Sequence, residues 1–171
     1  MSIKHKLKIS FGKLSRKHKD SLFSYVRNIL GVDPIKYLSN DLYYVCLNRN
    51  CFISNGAGKY YRLTMLYKGV WIGVIIDNKP YLSPEIYEKI YHDIGTYRAA
   101  IIVGEKGVKN FLYGNDVLEQ SIIAEYPPLD QPVAVIDNLD GKVIGVAKRW
   151  DVRGKIYRNI YDLGIFLRIW G

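Results

Sequence analysis

Phe111-Leu112-Tyr113-Gly114-Asn115-Asp116-Val117, running on into Leu118-Glu119-Gln120-Ser121-Ile122, is the stretch from which the rest of the chain is best read. A glycine between an aromatic segment and an Asn-Asp pair marks a sharp change of backbone direction, through a positive φ or a close backbone approach. The pattern predicts a strand over 107–113 that turns at Gly114, with Asp116 capping the short helical turn that follows. Just upstream, Gly104-Glu105-Lys106-Gly107 reads as a tight turn with exposed lysines. Downstream come Gly145-Val146-Ala147-Lys148-Arg149 and Asp162-Leu163-Gly164-Ile165-Phe166-Leu167-Arg168.

Around this stretch the chain divides in two. Ile3, His5, Leu7, Ile9 and Phe11 alternate with Lys4, Lys6 and Lys8, the period of an edge strand with a cationic outer face. A helix is expected over 16–30, with Ser15 as its cap, Leu22, Phe23, Val26, Ile29 and Leu30 on its buried stripe, and Gly31 as its stop. Tyr-, Val- and Ile-rich runs at 42–47, 52–54, 60–67 and 70–76 read as an antiparallel meander. Asp77-Asn78-Lys79-Pro80 is the best linker candidate. Ser83-Pro84 then opens a second helix, because a serine cap followed by proline at the first helical position costs no hydrogen bond. Its buried stripe is Ile86, Tyr87, Ile90, Tyr91 and Ile94, and Gly95 stops it. Short strands at 99–103, 132–136, 142–148, 156–161 and 165–170 follow at barrel-like spacing. Most of the fifteen tyrosines are expected in packing, since strands favour aromatics.

The charge distribution points to a partner. Of a net charge of +9, residues 1–20 contribute +6 and residues 142–171 contribute +5, leaving −2 for the body between them. Two basic ends on a mildly acidic body describe a surface for a polyanion, nucleic acid first; the plainer reading is a soluble basic protein. Lys148, Arg149, Arg153, Lys155 and Arg158 are interleaved with Trp150 and Tyr157. Cations supply salt-dependent phosphate contact and flat aromatics stack on unpaired bases. The competing reading of this run is an edge strand protected by lysine. Lys106 and Lys109 are weaker phosphate candidates. Lys4, Lys6, Lys8, Lys13, Arg16, Lys17 and Lys19 could widen an RNA footprint or face an acidic partner.

Other classes find little purchase. Cys46 and Cys51 form a lone pair without the second pair of a structural zinc site, and read as half-buried free thiols. His5, His18 and His92 show no ligand spacing. There is no Ser/His/Asp order, no metalloprotease helix and no cofactor loop, so no catalytic residue, metal or cofactor is expected. No apolar run approaches the roughly 18 residues of a membrane span, and the basic N-terminus is not followed by the apolar stretch of a signal peptide. A soluble, intracellular protein is expected.

The motifs quoted above, in their order, resemble a PUA domain, an RNA-binding module named after pseudouridine synthases and archaeosine transglycosylases. The "FLYGNDV…SI" wording and the "DLGIFLR" ending resemble the Nip-seven family of ribosome-biogenesis proteins, and the ending looks closer to its archaeal branch. The resemblance implies an α+β fold: a pre-PUA domain over 1–79, with an antiparallel sheet and helices, followed by a small mixed β-barrel PUA domain over 80–171. It further implies a non-enzymatic factor that binds pre-rRNA of the large subunit through Lys148, Arg149, Arg153, Lys155 and Arg158. Lys106 and Lys109 would line the neighbouring cleft, and residues 1–79 would meet assembly proteins. The likeness to the archaeal branch implies a cytoplasmic protein; a eukaryotic source would place it in the nucleolus. Two alternatives stand beside this: an RNA-modification enzyme or its targeting subunit, and a protein-interaction module for acidic partners.

Overall fold

A computed structural model of the chain describes residues 8–56, 68–151 and 155–165. The strands expected at 60–67 and 165–170 lie outside these residues, wholly or nearly so, as do Lys4, Lys6 and Arg153.

The first unit begins with β1 (Ile9–Lys13) and α1 (Arg16–Ser24), which continues into a π turn over Tyr25–Ile29. Ser15 caps α1 by accepting from the His18 N–H. Leu22, Val26 and Leu30 carry the buried stripe as the sequence expects. β2 (Tyr43–Leu47), β3 (Asn50–Gly56), β4 (Lys68–Ile76) and β5 (Lys79–Leu82) complete an antiparallel sheet in the order β1-β2-β3-β4-β5. The expected linker at 77–80 is instead a hairpin. Asp77 and Asn78 both take positive φ (49° and 59°), the geometry of a two-residue turn whose twist matches its strands, and β5 pairs back onto β4. The first sheet therefore runs through Leu82. Cys46 and Cys51 face each other in register across β2 and β3 and form a disulfide, correcting the free-thiol expectation. Their spacing of five residues is what a hairpin needs to bring two side chains opposite one another.

Ser83 and Pro84 start α2 (Pro84–Ile94), and Gly95 ends it at φ 69°, a conformation that favours glycine. The second unit then folds as a mixed sheet, β10-β9-β8-β6-β7. Its strands are β6 (Ala100–Val103), β7 (Ile122–Tyr126), β8 (Pro132–Asp137), β9 (Val143–Asp151) and β10 (Lys155–Asp162). β6 runs parallel to β8, and all other pairs are antiparallel. Val117 and Tyr157 exchange both backbone hydrogen bonds (2.8 and 2.9 Å), so the segment after Gly114 covers the free edge of β10.

The expected strand over 107–113 is a helix, α3 (Glu105–Leu112). Gly107, Val108 and Phe111 lie on its buried side, the 3.6-residue spacing that a short apolar run conceals. Gly107 is needed for packing: a Cβ there would sit 2.4 Å from Val103 and 2.6 Å from Ser121. β7 escaped the sequence reading because its five residues carry no clean alternation.

Tyrosines join the two units. Tyr25, Tyr87, Tyr91, Tyr97 and Tyr126 contact one another in series, with ring centroids 5.2 to 6.3 Å apart. The Tyr25 hydroxyl accepts from Tyr87 (2.9 Å) and donates to the Pro132 carbonyl (2.6 Å). The Tyr161 hydroxyl donates to the Leu82 carbonyl. Burial pushes the Tyr25, Tyr87, Tyr91 and Tyr161 hydroxyls well above their usual range, so they remain neutral donors. The buried apolar residues of both units form one continuous core. Among the described residues, no helix is long and apolar enough to cross a membrane.

Candidate nucleic-acid interface

The two motifs that stand far apart in the sequence meet at one side chain. The Asn159 backbone N–H donates to the Asp116 carboxylate (2.8 Å), and its side-chain amide donates to the carbonyls of Phe111 (2.9 Å) and Asn115 (3.3 Å) and to Asp162 (3.0 Å). Asp162 is buried and accepts in turn from the Gly164 N–H (2.8 Å). Gly114, at φ 90°, makes the reversal that lets Asn115 and Asp116 face β10. Asp116 thus fastens β10 at its bulge and does not cap the following turn, as its position had implied. The bulge, between Asn159 and Tyr161, fixes which side chains of β10 point outward.

On β9 and β10 the two-residue period sorts the basic run into opposite faces. Lys148 pairs with Arg158, Arg149 with Tyr157 and Trp150 with Ile156. Lys148 and Arg158 are exposed, and Trp150 beside them is 50% exposed. The Arg158 guanidinium lies 5.5 Å from the Trp150 ring centroid, a cation–π contact. Neither Lys148 nor Arg158 is ion-paired within the described residues, so their charge faces solvent.

Arg149 lies half-buried on the other face with Tyr157. Tyr157 is fully buried and donates its hydroxyl to Glu125 (2.8 Å), which removes it as a stacking surface. The side chain of Lys155, like all of Arg153, lies outside the described residues. Lys106 and Lys109 stand on α3. Lys106 is exposed; Lys109 is engaged with Glu105 at 2.8 Å, one helical turn away. That hydrogen bond and the opposite charge hold the Glu105 carboxyl below its usual range and Lys109 above its own. The structure therefore brings Lys148, Trp150 and Arg158 together and ties the last turn of α3 to the same strand at Asn159.

One further cation escaped the sequence reading. Lys148 also borders a cleft of about 430 Å³ between the units, which Lys79 lines as well. Lys79 lies 69 residues from Lys148 and came under the supposed linker, so only tertiary structure could connect the two.

Solved structures of archaeal proteins share this architecture. A hypothetical protein of Pyrococcus horikoshii superposes with a TM-score of 0.65 at 14% identity, covering 90% of this chain and 94% of its own. A conserved PUA domain protein of Thermoplasma acidophilum gives 0.56 at 15% identity, covering 91% and 95%. A PUA domain protein of Aeropyrum pernix, solved with tartrate, gives 0.62 at 14%, covering 92% and 88%. At these identities the likeness concerns the fold. Among curated proteins, none matches this chain. Residues 99–171, which hold α3, the barrel strands and the Lys148–Trp150–Arg158 face, match the family model of the UPF0113 PUA domain, and the second unit is accordingly a PUA-like domain.

Proposed function

We propose that this protein is a non-enzymatic RNA-binding factor that holds single-stranded RNA on the outward face of β9 and β10. The observation that carries the reading is the grouping of Lys148 and Arg158 around the half-exposed Trp150 ring. Unpaired cations contact phosphates, and an exposed indole offers a face to any base. The PUA-domain match over 99–171 supports the same class of partner. The resemblance of the "FLYGNDV…SI" and "DLGIFLR" motifs to the Nip-seven family favours a finer assignment. In it, the bound RNA is large-subunit pre-rRNA and the first sheet receives assembly proteins in an archaeal cytoplasm.

The test is a salt-titrated binding assay with a fluorescent single-stranded RNA. Lys148→Ala and Arg158→Ala should each flatten the slope of log K against log salt by roughly 0.7. Unchanged affinity and slope in both variants would overturn the reading.

A further inference from the structure

The cleft between the units has the composition of a nucleotide site. Its volume, about 430 Å³, is within the common range for small-molecule sites of roughly 300–1,000 Å³. It is lined by residues of α1 and its π turn, by β5, and by Gln131 and Pro132 at the start of β8. The Tyr25 and Tyr87 hydroxyls are spent on each other and on the Pro132 carbonyl. The partly exposed Tyr25, Ile29, Pro80 and Tyr81 supply the accessible apolar lining, over a floor of the buried Leu22, Leu82 and Tyr87. The amides of Asn28 and Gln131 also line it: each already donates once, to the Ser24 hydroxyl (3.0 Å) and to Asp130 (3.4 Å), which leaves a second N–H and the carbonyl oxygen for a base edge. Two cations, Lys79 and Lys148, stand at the rim, and neither is ion-paired among the described residues.

A simple anion would need the cations but not the apolar walls. An apolar ligand would need the walls but not the cations. A nucleotide uses both: the base enters between α1 and β5, and the phosphate rests between Lys79 and Lys148. Lys148 decides the source of that nucleotide, because it belongs at once to the cleft and to the β9–β10 face. We infer that the cleft takes one unstacked nucleotide of the same RNA strand that lies over Trp150 and Arg158. This rests on the RNA-binding reading and adds the first unit to the binding site.

The experiment uses the full chain and a set of fluorescent single-stranded RNAs, each with one abasic position. Ser24 is exposed at the cleft, so Ser24→Trp fills the cleft without entering the core; it also removes the hydroxyl that accepts from the Asn28 amide, and Ser24→Ala controls for that loss. One abasic position should weaken binding to the wild type roughly ten-fold, the scale of one lost base contact. That sensitivity should vanish in Ser24→Trp and survive in Trp150→Ala, which removes the other stacking surface. Lys79→Ala, a surface change that leaves the core intact, should flatten the salt slope by roughly 0.7. If Ser24→Trp and Lys79→Ala bind every RNA as the wild type does, while Lys148→Ala and Arg158→Ala still weaken binding, the cleft proposal falls alone. If the wild type binds no single-stranded RNA, both proposals fall.

Discussion

Lys13, Arg16, Lys19 and Lys36 of the first unit and the cations of β9 and β10 are alike in type and unlike in company. Lys13 lies 2.8 Å from Asp41, Arg16 lies 3.6 Å from Asp20 and Lys36 lies 3.0 Å from Asp93. Lys19 donates to the Asn40 carbonyl at 2.9 Å. These groups have met negative charge or dipole within the protein itself. Lys148 and Arg158 have not: among the described residues neither is ion-paired, and the Arg158 guanidinium lies over the Trp150 indole. Net charge by segment treats the two ends as equivalents, +6 and +5. The structure separates cations engaged in holding the first unit from cations presented to a ligand. A phosphate approaching the first kind must displace a carboxylate; approaching the second it displaces only water and counterions.

The largest effect should come from dismantling what holds β10 in place. Asn159→Ala removes an amide shared among Phe111, Asn115 and Asp162, leaving Asp162 buried with one partner fewer. A loss of about 2 kcal/mol is expected, lowering Tm by roughly 4–8 °C in thermal unfolding. A variant as stable as the wild type would show that the two motifs do not depend on each other. Next comes the presented pair itself. At 0.1 M salt two lost single-strand phosphate contacts cost roughly 25-fold in affinity, so Lys148→Ala/Arg158→Ala should weaken RNA binding by about that factor. Trp150→Ala should cost roughly ten-fold and leave the salt slope unchanged, which separates stacking from charge.

The engaged cations should behave otherwise. Lys13→Ala and Arg16→Ala are expected to change RNA affinity less than about two-fold, because each is already held by a carboxylate. An effect as large as that of Lys148→Ala would erase the distinction between the two ends. The smallest effect concerns acid. Hydrogen bonding and charge from Lys13 hold Asp41 below its usual range, and Lys36 and Tyr37 do the same for Asp93. Both carboxylates bind protons more weakly folded than unfolded. Their contribution to stability is therefore complete above the unfolded value near 3.8 and lost as pH falls through the lower folded values. In Asp41→Asn and Asp93→Asn the decline of Tm below pH 4 should be shallower by no more than about 2 °C, since these pairs are surface features.

What the sequence made legible was local. Ser83-Pro84 and Gly95 bound α2 as capping chemistry requires, and Ser15 caps α1. What it hid was non-local or short. A period of two places Lys148 and Arg149 on opposite faces, yet only the pairing of β9 with β10 shows which face is the outer one. Tyr157 has the composition of a stacking residue and the position of a core residue. Asp77-Asn78 has the composition of a linker, but two positive φ angles make it a turn, and that turn brings Lys79 to the cleft shared with Lys148. α3 is only eight residues long, too few for its helical period to outweigh two glycines beside it in the sequence.

Photo-crosslinking with a single-stranded RNA carrying 4-thiouridine at each position, followed by peptide mapping, tests the separation most directly. The account predicts crosslinks at Trp150 and on the strands that carry Lys148 and Arg158, lost in Lys148→Ala/Arg158→Ala. Crosslinks concentrated on β1 and α1 near Lys13 and Arg16, and unaffected by that double change, would contradict it.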